Sequence, residues 1–190
     1  MGAQRKFHSI TLSISDPLLR FAAVFSALIH DCKHAGLTNV ELIALGTPEA
    51  IRYHNKTVAE QNSVDLAWTI LMESKFKDLS ACIYSNEVEL VHFRKLMVNA
   101  VMATDIADKD LKSYRENRWE LAFKDKSEKN HDSMDCDRKA TIVFEYIIQA
   151  SDVAHTMQHW ATYQKFNCRL FEERYIAWLN GHLEKEPSLG

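Results

Sequence analysis

Apolar residues recur along most of this chain three and four positions apart, and nowhere do they alternate for long with polar ones. Ser15-Asp16-Pro17 reads as a helix start, with Asp16 able to cap and Pro17 suited to the first helical position. Behind it Leu18, Phe21, Phe25, Leu28 and Ile29 form one apolar stripe. Thr47-Pro48-Glu49 repeats the start signal for a short helix, and Gly46 ends the turn before it. Thr57-Val58-Ala59-Glu60 fits a capping box ahead of a helix carrying Val64, Trp68, Leu71 and Met72. A further long helix is predicted from Asn86 to Asp105, built on Val88, Val91, Leu96, Val98 and Met102. From Arg138 to Asn180 the pattern predicts two helices, or one broken near His155, with Gly181 as the stop.

The fold class that follows is all-α, a compact multi-helix domain. Residues 124–137 are charged and almost free of apolar side chains, which predicts a solvated loop inside that domain. Hydrophobic residues make up 46% of the 190 and charged residues 26%, as in ordinary globular chains. A net charge of −3 gives no electrostatic footprint for nucleic acid. Cys32, Cys82, Cys136 and Cys168 lack CxxC spacing and read as reduced thiols. No apolar run approaches the ~20 residues of a membrane helix, and the start lacks the apolar stretch of a secretory signal. The Met-Gly start meets the myristoylation pattern only in part, because Lys6 stands where Ser or Thr belongs. The expected location is therefore cytoplasmic.

Candidate chemistry changes this plain picture at one place. Positions 30–39 read His-Asp-Cys-Lys-His-Ala-Gly-Leu-Thr-Asn, directly after an apolar helix. His30, Asp31 and His34 offer two imidazoles and a carboxylate, the ligand chemistry of a divalent metal such as zinc. A histidine-rich helix cap is the competing reading, but Asp31 at the negative end of a helix does not suit it. Gly36 permits a left-handed turn, and Asn39 can cap the next helix or bond back to the cluster. Asp152, in an apolar helix, is either a distant ligand or a carboxylate on the helix surface. Asp105 is either part of the site or a helix-end residue leading into a polar turn, and for Glu60 the capping box suffices as an explanation. His155 and His159 are four apart and could form a metal pair, though no HExxH-type glutamate lies between them. His54, His92, His131 and His182 read as surface residues, and Trp160, Tyr163, Phe166 and Phe171 as core.

Taken together, these segments resemble the catalytic domain of class I 3′,5′-cyclic nucleotide phosphodiesterases, which are HD-domain metal hydrolases. The resemblance rests on residues 25–39, on Asn55-Lys56-Thr57-Val58-Ala59-Glu60, on Met102-Ala103-Thr104-Asp105, and on Ala150-Ser151-Asp152 with Trp160 downstream. It covers residues 16–190, leaving 1–15 as a short non-matching segment, and it implies an all-helical fold and two divalent ions, Zn2+ in the tighter position and Mg2+ or Mn2+ in the other. It implies metal ligation by His30, Asp31 and Asp152, with Asp31 bridging, and it places His34 beside the phosphate and hydroxide. Asn39, Glu60 and Asp105 would support the site from behind. The implied reaction is hydrolysis of cyclic AMP or cyclic GMP to the 5′-monophosphate in signal transduction, with regulatory domains expected in a parent protein.

The chain also departs from the pattern. The family's H-N-x-x-H segment, which supplies a general acid and one metal ligand, has no match here, and the nucleotide-gripping glutamine and aromatic clamp would lie beyond Gly190. Lys33 and Ala35 replace Asp and Pro, Asn62-Ser63 replace His-His, and His155 replaces Asn. The expectation is a chain truncated at both ends, with weak or no activity by itself, since loss of a general acid costs about two to four orders of magnitude. The alternatives are a non-catalytic helical scaffold that binds metal or a partner, and another HD-type phosphohydrolase acting on nucleotides.

Overall fold

The structure is a computed structural model, and it describes residues 17–123 and 133–188. Among the described residues the chain runs as α1 (Pro17–Ile29), α2 (Asn39–Ala44), α3 (Pro48–Arg52), α4 (Val58–Leu71), α5 (Lys77–Ile83), α6 (Glu87–Ala103), α7 (Lys109–Phe123), α8 (Ser133–Asp152) and α9 (Trp160–Leu179). Single 3₁₀ turns, Ser74–Phe76 and Val153–Met157, lead into α5 and out of α8. The described residues hold no strand, so the all-α expectation stands. Part of the expected loop does not: α8 is already helical from Ser133 rather than from Arg138, and residues 124–132 lie outside the description.

The centre of the domain is the crossing of α1 and α6, with α4 and α8 packed against α1. Phe93 and Met97 of α6 are fully buried there. The rings of Phe21, Phe25 and Trp68 surround Phe93 with centroids 5.9, 5.7 and 6.4 Å away. Truncating either core side chain would cost on the order of 3–5 kcal/mol.

The buried faces are rotated from those expected. α1 buries Leu19, Ala22, Ser26 and Ile29, while Leu28 is 78% exposed. Small Ala22 and Ser26 let α6 approach, and the large aromatic rings flank the contact instead of filling it. α6 buries Phe93, Leu96, Met97, Ala100 and Val101, whereas Val88 and Val91 face out. Spacing identified the helices, but residue size decided which stripe was buried.

α7 was not predicted, because it has no apolar stripe to see. Polar contacts hold it: Arg118 donates to both carboxylate oxygens of Glu145 on α8 at 2.7 and 2.8 Å, and Glu145 is only 3% exposed. Trp119 adds ring contacts to Phe123 and Tyr146. No helix among the described residues is long and apolar enough to cross a membrane.

Candidate metal centre

The residues singled out by sequence converge at helix ends. His30 and Asp31 follow the last residue of α1, and Asp152 is the last residue of α8. His30 Nε2 lies 3.2 Å from Asp152 Oδ1 and 3.5 Å from Asp31 Oδ2. One ligand atom from each of the three falls within 4.8 Å of the others. His30 is half-buried and both carboxylates are exposed. Carbonyl-rich helix ends carry partial negative charge, so two carboxylates at such ends create a local demand for a cation.

His30 is oriented as a ligand. Its Nδ1 donates to Ala27 O at 2.9 Å, one of the last carbonyls of α1, which leaves Nε2 facing the carboxylates. The hydrogen bond to Asp152 holds the imidazole proton and raises the His30 pKa to about 9. A bound cation would displace that proton, and the donor set of one imidazole and two carboxylates suits a divalent ion.

His34 is brought close but not into the ligand group. It is exposed, and its Nδ1 accepts from Gly36 N at 3.1 Å across a left-handed Gly36. The neutral ring therefore carries its proton on Nε2, available to a ligand oxygen. Ser63 Oγ donates to Cys32 O at 3.2 Å and ties this turn to α4.

A second polar cluster lies around Asn39, the first residue of α2. Its Nδ2 donates to Glu60 Oε2 at 2.9 Å and to Asp105 Oδ2 at 3.0 Å. Its Oδ1 accepts from Ala59 N at 2.9 Å. Asn39 thus caps α4 in place of Thr57, whose expected capping box is absent: Thr57 sits at φ +38° and its side chain caps nothing. A real capping box joins Thr38 and Glu41 at the start of α2. Burial pushes the Glu60 carboxyl above its usual range, partly opposed by the Asn39 hydrogen bond.

Asp105 serves as a helix-end residue and also meets Asn39. It is 6% exposed, its Oδ1 accepts from Ala107 N and Asp108 N as a helix-end residue does, and its Oδ2 faces Asn39. Arg115 donates to the Asp105 carbonyl at 3.2 Å and Gln149 to Ala103 O at 2.6 Å. Nothing in the sequence pointed to these two supports: Gln149 lies 46 positions from its partner, and Arg115 sits on α7, which has no apolar stripe to mark it.

Other expectations fail. His155 lies in the 3₁₀ turn and His159 caps α9, so they share no helix face. Trp160 is 64% exposed and Phe166 also faces out, because no described element covers that side of α9. His92 is half-buried rather than on the surface, and His131 lies outside the described residues. Cys32, Cys82 and Cys168 are free thiols.

Comparison with known proteins agrees with the geometry. The 3′5′-cyclic nucleotide phosphodiesterase family matches residues 4–189, which takes in part of the segment set apart at 1–15. A probable 3′,5′-cyclic-AMP phosphodiesterase of Caenorhabditis elegans is 28% identical over 168 residues, 88% of this chain and 24% of that protein. The cGMP-inhibited 3′,5′-cyclic phosphodiesterase 3A of Homo sapiens is 34% identical over 96 residues, 50% of this chain and 8% of its own. The chain thus spans a quarter or less of the length of these relatives. The crystal structure of the phosphodiesterase domain of a RhoPDE fusion protein from the choanoflagellate Salpingoeca rosetta shares the fold. Its TM-score is 0.66 at 23% identity, over 82% of this chain and 47% of that one. With a match running over nearly its whole length, this chain belongs to the 3′5′-cyclic nucleotide phosphodiesterase family.

Proposed function

We propose that this chain carries the metal-holding part of a catalytic centre that hydrolyses 3′,5′-cyclic nucleotides to 5′-monophosphates. One observation carries the reading: a helix-end imidazole, its tautomer fixed from Ala27, meets two exposed carboxylates from separate helices. His30, Asp31 and Asp152 would hold divalent cations, Zn2+ together with Mg2+ or Mn2+, with Asp31 shared between them. Such ions supply charge neutralisation at the phosphate and a water ionised near neutral pH.

The chain's own groups would do the rest. His34, with Nδ1 accepting from Gly36, presents an Nε2 proton to a phosphate oxygen. Asn39 donates to both the Glu60 and the Asp105 carboxylates, and the two would serve the site as fixed hydrogen-bond acceptors. The family match favours this over a non-catalytic scaffold. The parent protein would carry further domains, in line with the much longer relatives.

The test is metal content and turnover. Purified chain should bind Zn2+ or Mn2+ in calorimetric titration, and Asp31→Ala should abolish the binding. A longer protein containing this chain should hydrolyse cyclic AMP or cyclic GMP, and the same substitution should remove that turnover. Full turnover by Asp31→Ala, or no metal uptake by the unaltered chain, would sink the proposal.

A further inference from the structure

The last described helix, α9, lies far from the HD segment in sequence, yet it grips the turn that carries Asn39. Arg174 Nη1 donates to Glu41 Oε2 at 2.8 Å, and Nη2 donates to Glu41 Oε1, a paired contact across 133 positions. Both side chains are partly shielded, 27% and 21% exposed. Glu41 is not a free surface acid. The same Oε2 accepts from Thr38 N at 2.7 Å, and Glu41 N donates to Thr38 Oγ1, so Arg174 binds the group that closes the start of α2. The neighbouring Glu173 lies against the other end of the turn: a Cβ added to Gly36 would come within 2.8 Å of its Oε1.

Successive residues of α9 therefore lie at both ends of the Gly36–Glu41 connection, Glu173 beside Gly36 and Arg174 bonded to Glu41. Apolar packing alone holds α9 weakly, because Ala177 is its only buried side chain among the described residues. Ala177 packs with Leu37, Leu42 and Val58, which border the same connection. Asn39 sits next to Thr38 inside it, and Asn39 reaches Glu60, Asp105 and Ala59 N. Asn39 has no slack, since both its amide hydrogens and its oxygen are committed within 3.0 Å. A small shift of the α2 start must therefore break one of the three contacts.

We infer that Arg174 is a positioning residue for the candidate metal centre, acting through Glu41 to fix Asn39 and hence the two supporting carboxylates. The inference rests on the metal-centre reading above, and it adds a role for α9 that the HD segment does not imply. Arginine is needed because the contact is forked; lysine offers the charge without the second arm.

The test uses the whole chain with Mn2+ as probe. Arg174→Lys removes the fork and keeps the charge. Glu41→Gln keeps an acceptor for Thr38 N and loses the ion pair. Each should weaken Mn2+ binding by about tenfold, the lower end for groups that support ligands. Each should also speed amide exchange at Ala59 by about fivefold, as for a lost cap, and release the protected side-chain amide of Asn39 in NMR spectra. The double variant should match the singles, because one contact is lost in all three. Arg52→Lys, which disturbs the exposed Arg52–Asp65 pair, should leave both readouts unchanged. Unaltered exchange at Asn39 and Ala59 in Arg174→Lys would overturn the coupling. Lack of Mn2+ binding by the unaltered chain would instead overturn the reading of the centre, and the resonances would still decide the coupling.

Discussion

Two polar clusters are built on the two ends of one ten-residue stretch, His30 to Asn39, and treat their carboxylates in opposite ways. Around Asn39, the protein satisfies its own carboxylates: Glu60 and Asp105 receive side-chain and backbone donors, and Asp105 is nearly sealed from solvent. Around His30, it does not: Asp31 and Asp152 are exposed, and the donor they share is the His30 ring. The closed cluster is built to keep its shape without help. The open one concentrates negative charge at two helix ends and is completed by something positive from outside. This difference is what favours the second cluster as the proposed cation site and the first as its proposed support.

The comparison can be broken from either side. The largest effect belongs to the open cluster: Asp152→Ala should lower divalent-metal affinity by at least about 100-fold, more than the loss of an outer support. Thermal stability measured in chelator at neutral pH should fall only modestly, by about 1 kcal/mol, because one partly exposed hydrogen bond from His30 is lost. A large loss of stability in chelator would mean that the cluster is structural.

The closed cluster should respond the other way. Asn39→Leu leaves Ala59 N without its cap and deprives two carboxylates of a donor, for a cost of about 2–4 kcal/mol in denaturant unfolding even without metal. Asn39→Asp should cost more at neutral pH and recover in acid, since it places a third carboxylate against two. Gly36→Ala comes next at about 1–2 kcal/mol, because φ is +71° and the added carbon meets the Glu173 side chain.

A pH titration sharpens the link to α9. Arg174 holds the Glu41 carboxyl at about 2, below its ordinary 4.5. A depressed carboxyl contributes stability that is present above pH 4.5 and lost as pH falls through about 2. Glu41→Gln should remove that part of the acid-induced loss, read as thermal midpoint against pH. The smallest effect is a gain: Thr57→Gly relieves a β-branched residue at φ +38° and should stabilise by about 1 kcal/mol, visible as a modest rise in midpoint.

Much of the molecule was legible in the sequence, and the parts that were not share a cause. Pro17, Thr47 and Asn86 marked helix starts correctly because capping is local chemistry. His30, Asp31 and Asp152 could be named as a group because the chain resembles a known family, but nothing local joins residues 122 positions apart. α7 was invisible because a buried ion pair to Glu145, not an apolar stripe, docks it. The capping box at Thr57 was a false local signal: Asn39, 20 residues before the capped Ala59, took over the cap, and Thr57 was left in a left-handed conformation.

The sequence by itself determined the helical class, most helix starts and the residue types of a divalent-metal site, since periodicity, caps and donor chemistry act over a few residues. Tertiary structure decided which faces were buried, which helix Asn39 caps, which donors Asp105 meets and which carboxylate Arg174 pairs with. Each of these depends on groups that only the packing of distant helices brings within 3 Å or so of one another, where hydrogen bonds and ion pairs act.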